Sequence, residues 1–366
     1  MRSHSFAGSR FVFGAVLTLA AALALGAAVA RSDVPGTYTV HKLTSNVSAE
    51  GANPADPDLQ NGWGITAPPT GPWWVSDNGA DKSTLYDRNG VKQGLVVSIV
   101  DGAPTGVVFN GDGGFVVTNP ADSTKSGPAR FIFAAESGTI SGWSPAADAT
   151  HSIRGVHVDG AVFKGIALAS NGGQPQLYAT DFVGGKVDVF NSSWGQGTAS
   201  GGFADPNLPS GYAPFGIQNI GGNHLVVTFA KQEAGSADEQ HHQGFGVVDM
   251  FDADGNLLSR IATHGQLNAP WGIAMAPATG FAPFNGDLLI GNFGDGQINA
   301  FHQDADGSWE RAGGLRDSSG HQITIDGLWG IGFGNDHTSG PSTTLYFAAG
   351  PNDEADGLFG SITANG

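Results

Sequence analysis

No cysteine occurs among the 366 residues, so neither a disulfide framework nor thiolate chemistry is available. Charge is scarce as well: Asp, Glu, Lys and Arg together make up 13%, about half the share of an average soluble domain. Bases are the scarcer sign, 16 Lys and Arg against 33 Asp and Glu, for a net charge of −17. Such a charge repels a phosphate backbone and sets nucleic acid aside as a partner. A disordered acidic chain is excluded too, because 40% of the residues are hydrophobic. No Gly-x-Ser-x-Gly elbow, His-Glu-x-x-His pair or phosphate loop occurs, so serine hydrolase, zincin and nucleotide-enzyme readings lack a motif. Glycine, by contrast, is abundant at 58 residues, without a collagen period. Each interior glycine costs a helix about 1 kcal/mol relative to alanine. Composition therefore predicts an all-β protein rich in tight turns.

Residues 1–30 read as a secretory signal. Arg2 and Arg10 are its basic flank, residues 11–28 are almost wholly apolar, and Ala28-Val29-Ala30 is a small-x-small cleavage site. The rival reading, a membrane anchor, is borderline in length. With the signal removed, the expected product is a soluble monomer of residues 31–366, secreted or periplasmic, with no membrane contact.

One phrase recurs along residues 31–366: a glycine, then Ile or Val, then an apolar strand. Its anchors are Gly64, Gly106, Gly165, Gly216, Gly272 and Gly330, spaced 42, 59, 51, 56 and 58 residues apart. Each anchor is followed by a second apolar strand, a polar loop and, in the clearest units, an alternating third strand such as Gly246–Phe251. Asp-Ala-Asp-Gly turns at 252–255 and 304–307 lead to a fourth strand; they lack the closing Glu of an EF-hand and read as hairpins with a left-handed glycine. Six such units predict a six-bladed β-propeller with four strands per blade. A β-helix has shorter repeats, and a sandwich has no such period. The second unit is ambiguous: residues 115–117 and 131–133 both qualify as its second strand. The last unit lacks a fourth strand, and the orphan strand Tyr38–Leu43 is placed to supply it, closing the ring without exposed edges.

These phrases resemble a family of secreted bacterial six-bladed propeller proteins that carries no established function. The matching residues include Asn61–Ile65, Pro72–Gly79, Ala129–Phe133, Gly211–Phe215, Leu267–Gly272, Gly291–Gly296, Asp326–Gly330 and Gly357–Gly360. The resemblance implies the propeller fold and export, and transfers no catalytic residue. More distantly, the pattern is similar to NHL-repeat and gluconolactonase-like propellers, an analogy of fold.

In a propeller the residue before each anchor glycine rings the mouth of the central channel. These residues are Trp63, Thr105, Lys164, Phe215, Trp271 and Trp329. Trp63, Phe215, Trp271 and Trp329, with Lys164, are candidate ligand-binding residues, a stacking platform for a sugar or aromatic ring; the alternative is packing between neighbouring inner strands. Asp77, Asp181 and Asn292 end second strands at equivalent places and are candidate ligands for a divalent cation such as calcium; the alternative is that they shape turns. Glu136 or Asn119 is the counterpart in the second unit and Asn352 or Asp353 in the sixth, while Lys231-Gln232 breaks the pattern in the fourth. Lys164 is an alternative counter-charge for converging carboxylates that needs no metal. The polar segment 231–243 should overhang the same face, as a lid or as a solvated loop. Two functions follow: a binding module for a small molecule, glycan or protein at the channel mouth, and, as the alternative, a metal-dependent hydrolase of lactones or esters in the channel.

Overall fold

A computed structural model describes Met1, residues 36–52 and residues 55–365. The segment read as a signal lies, apart from Met1, outside the described residues. The chain divides into two compact units, Met1–Val34 and Pro35–Gly366. The second holds the described strands, which form six antiparallel sheets, the six blades of a β-propeller, and one small two-stranded sheet.

Blade one runs Gly62–Thr66, Trp73–Asp77, Lys82–Tyr86 and Lys92–Ser98 from the channel outward. Blades four and five repeat this order from Tyr212–Asn219 to Leu257–Thr263 and from Pro270–Met275 to Trp309–Gly314. Their third and fourth strands are joined by the two Asp-Ala-Asp-Gly turns, whose Gly255 and Gly307 take φ of 74° and 89°, left-handed values that suit glycine. In blade six, Leu328–Phe333, Leu345–Ala349 and Leu358–Asn365 are completed by the N-terminal strand Thr37–Ser45, antiparallel to the last of them. The ring thus closes with strands from both ends of the unit, and Leu358–Asn365 is paired on both sides, with Thr37–Ser45 as the outer strand of the blade.

Two blades depart from the four-strand script. In blade two the second strand is Phe131–Ala135; Val116–Thr118 instead pairs with Ser126–Pro128 in a separate hairpin inserted before it. Blade three has three strands rather than the expected four, Phe163–Asn171, Gln174–Asp181 and Lys186–Asn191. The residues that would supply its outer strand, 192–211, are rich in Gly, Ser and Pro without apolar alternation. Phe203 is buried in the core, but without strand alternation around it only a single bridge, Phe190 to Gln196, forms.

The six anchor glycines have one job in common. A Cβ placed on Gly64, Gly272 or Gly330 would lie 2.5, 2.6 or 2.7 Å from the carbonyl oxygen of Thr105, Trp329 or Trp63. On Gly106 and Gly165 it would lie 2.9 Å from the Ile166 nitrogen and the Phe215 carbonyl oxygen, and on Gly216 closer still to the Trp271 carbonyl oxygen. Each glycine therefore seats the backbone of the next inner strand, and the series runs unbroken around the ring. None of the six takes a positive φ, so close approach alone demands glycine. The residues that follow them, Ile65, Val107, Ile166, Ile217, Ile273 and Ile331, point into the channel and enclose a void of about 30 Å³. Replacing Gly272 by alanine should cost about 1–3 kcal/mol through overpacking. Gly94, where a Cβ would meet nothing within 4 Å, is the control. Urea unfolding of Gly272→Ala and Gly94→Ala measures the difference; equal midpoints would contradict the seating role.

Candidate functional site

Above the isoleucine ring the channel is filled. Trp63 stacks on Trp329 with centroids 3.7 Å apart, and Trp329 stacks on Phe293 at 3.8 Å. Trp271 meets Trp329 edge-on at 5.8 Å, and Phe215 lies tilted at 5.8 Å from the same ring. Both faces of Trp329 are taken by other rings, and it is 1% exposed. Of the aromatic residues expected to form an open platform, then, Trp63, Phe215 and Trp329 are buried and Trp271 half-buried, and together they form a plug. Offset and edge-on contacts of this kind contribute about 0.5–1.5 kcal/mol each beyond area burial.

The plug is the floor of a cup of about 980 Å³ at the channel mouth. Trp63, Lys164 and Trp329 line it, whereas Phe215 and Trp271 do not. Asn78 and Glu136 come from the ends of the second strands of blades one and two, Phe293 from blade five, and Asp353 and Glu354 from blade six. The segment after Lys231 turns back on itself through a bridge between Gln232 and Glu239 and places Glu233, Asp238, Glu239 and His241 over the mouth. Gln232 anchors it, donating from Nε2 to the Phe182 carbonyl at 2.6 Å.

A hydrogen-bonded chain stiffens the cup. The Trp329 indole donates to Asn61 Oδ1 at 3.2 Å, and Asn61 Nδ2 donates to Glu354 Oε1 at 2.9 Å and to Asn78 Oδ1 at 3.3 Å. Asn78 Nδ2 in turn donates to Glu136 Oε2 at 3.1 Å. Lys164, 2% exposed, completes the chain with Nζ 2.6 Å from Glu136 Oε1 and 5.1 Å from the centroid of Trp63. Burial alone would lower the Lys164 pKa, but the charges of Glu136 and Glu239 outweigh it and hold the ammonium above its ordinary range. The hydrogen bond with Glu239, 3.3 Å away, raises the His241 imidazole against the opposing effect of burial.

Asp77, Asp181 and Asn292 are not in the cup and do not face a common centre. They pair across to Gly62, Phe163 and Pro270 in their blades. Strand side chains alternate, so the next residue in each blade, Asn78, Phe182 or Phe293, is the one turned toward the mouth. Asp77 is wholly buried, accepts a bond from Thr84 Oγ1 at 3.2 Å, and has its carboxyl pushed well above the usual range by burial and the nearby Asp56. Asp181 Oδ1 accepts from the backbone of Val162 and Gly184 at 3.1 and 2.9 Å, which shapes its turn. Asn292 Nδ2 donates to the Gln266 carbonyl at 2.7 Å and to Asp295 Oδ1 at 3.1 Å. These three residues do not fit the shared cation expected of them, and among the described residues no group of three His, Asp or Glu side chains is placed to hold a metal ion. Lys164 is present as the counter-charge, but to Glu136.

Asn61, Phe293 and Glu354 are the site residues that sequence reasoning missed; counting strand parity from the anchor glycine would have reached Phe293. Asn352, Asp353 and Glu354 are held at φ of 59°, 50° and 63°, a left-handed run that costs roughly 1–2 kcal/mol per residue. Burial also pushes the Glu354 carboxyl upward, against the Asn61 hydrogen bond. A carboxyl with a higher pKa in the fold binds its proton more tightly there than in the unfolded chain. Its contribution is therefore most favourable below the ordinary Glu range and is lost as pH rises into the raised range. Glu354→Gln should accordingly be more stable than the parent at neutral pH and flatten the decline above the Glu range. Urea unfolding over a pH series checks this; a less stable variant at neutral pH would contradict it.

No family model matches the sequence. The chain is 35% identical over 347 residues to an uncharacterized protein of Acanthamoeba polyphaga mimivirus, covering 89% of this chain and 80% of that protein. A second uncharacterized protein of the same virus is 33% identical over 344 residues, covering 89% and 86%. Among solved structures, a streptogramin B lyase superposes with a TM-score of 0.52 at 13% identity over 90% of this chain and 98% of that one. The soluble aldose sugar dehydrogenase of Escherichia coli gives 0.52 at 13% identity over 90% and 100%. These two likenesses carry the six-bladed fold alone, and the sequence relatives carry the kinship: the chain belongs to the family of these uncharacterized mimivirus proteins.

Proposed function

We propose that the protein is a binding module that holds a small polar molecule in the cup at the channel mouth. The observation that carries this reading is the cup itself: about 980 Å³, lined from all six blades and floored by a plug that closes the channel beneath it. That volume suits a small-molecule site. The lid over it is pinned rather than loose, and the side chains beneath are already held by hydrogen bonds, so little ordering remains to oppose binding. The alternative, a metal-dependent hydrolase, relies on Asp77, Asp181 and Asn292, which lie outside the cup. Export, to which residues 1–30 point, is part of the same proposal.

Ala234 lines the cup on the lid and is exposed. Ala234→Trp should obstruct the cup from the lid without disturbing the core. A thermal-shift screen of small metabolites and saccharides is expected to give hits that stabilise the parent and lose their effect on Ala234→Trp. Hits that shift both proteins equally, or no hits across the library, would overturn the reading.

A further inference from the structure

Resting on the binding reading, the charge of the cup defines what it accepts. Six carboxylates line it, those of Glu136, Glu233, Asp238, Glu239, Asp353 and Glu354, against the ammonium of Lys164 and the imidazole of His241. Glu136 is paired with Lys164 and Glu239 with His241. Among the described residues no ion pair reaches Glu233, Asp238, Asp353 or Glu354. Like charges gathered in a concave, partly dehydrated space repel one another, and here the backbone of residues 352–354 is strained as well.

The protein already contains one ligand-like cation in this place. Lys164 Nζ sits between a carboxylate of the cup and a face of Trp63 and stays charged although almost fully buried. A further ammonium entering above it would meet the same chemistry in Glu354 and Asp353 on one side and the lid carboxylates on the other. An anion would be repelled, and a neutral polyol would leave the charge unbalanced. The floor also holds an unmet donor: Trp63, 2% exposed, lines the cup, and its buried indole Nε1 has no hydrogen-bond partner among the described residues. The remaining carboxylate oxygens can also accept from hydroxyl groups.

We propose that the cup recognises a hydroxylated primary amine, the chemistry of an amino sugar, with its ammonium held by Glu354 and Asp353 and its hydroxyl groups by the lid carboxylates. Phe293 and Ala234 supply the apolar contacts beside it. A charged hydrogen bond is stronger than a neutral one, so the ammonium should dominate the affinity.

Calorimetric titration of the full chain with glucosamine, glucose and glucuronate, in buffer near neutral pH and of low ionic strength, isolates the sign of charge on one ring. Glucosamine is expected to bind one per chain and to weaken as salt is added. Glucose should bind at least about tenfold more weakly, and glucuronate should not bind. Glu354→Gln together with Asp353→Asn should remove the advantage of glucosamine over glucose; far-UV circular dichroism confirms the fold of the variant. Glucose binding as tightly as glucosamine, or glucuronate binding at all, would overturn the cation preference and leave the cup a binding site. Silence with all three sugars would overturn the ligand class, while the Ala234→Trp screen independently decides whether the cup binds anything.

Discussion

The approach of each inner strand to the next is the constraint on which the rest of the molecule depends. Six glycines give up their side chains so that the backbone of the neighbouring blade can occupy the space. The contact is repeated around the circle, with Gly330 of the last blade seating the Trp63 backbone of the first. Drawn this close, the inner strands leave a channel too narrow for anything but the side chains on either side of the glycines. Ile and Val on one side fill its middle; Trp, Phe, Thr and Lys on the other fill its mouth. The propeller is therefore a closed ring with a plugged axis, and the cup opens on the mouth side of the plug.

Lys164 shows how the plug and the cup are joined. Its backbone belongs to the inner strand of blade three, its carbonyl accepts from the Trp271 indole at 3.2 Å, and its ammonium reaches Glu136 of blade two. It balances one carboxylate and leaves the others facing the cup. Glu354 is held in a left-handed backbone run with a carboxyl that burial disfavours. Cost of this kind, gathered at one rim of one cavity, is what the proposed binding role accounts for.

Much of this fold was legible because glycine spacing is a geometric signal. An anchor that must seat a neighbouring strand recurs once per blade, so the six positions gave blade number and inner strands, while the orphan strand Tyr38–Leu43 gave the N-terminal closure. Blade three lost its outer strand where apolar alternation was absent, and blade two gained a hairpin at Val116–Thr118 that local pattern could not tell from a blade strand. The site was legible to within one residue. Asp77, Asp181 and Asn292 end their strands as expected, but strand parity turns them away from the mouth and presents Asn78, Phe182 and Phe293 instead. Lys164 and the acidic lid were visible as residues out of pattern. Glu354 was not, because its place depends on a left-handed backbone that no side-chain periodicity encodes.

The most direct measurement is a crystal structure of the chain grown with glucosamine. The sugar is expected inside the cup, its amine within hydrogen-bonding distance of Glu354 and Asp353, with Trp63, Trp329 and Phe293 still stacked beneath it. A sugar bound elsewhere, or a Trp329 ring swung aside to open the channel, would contradict the plugged, cation-selective cup.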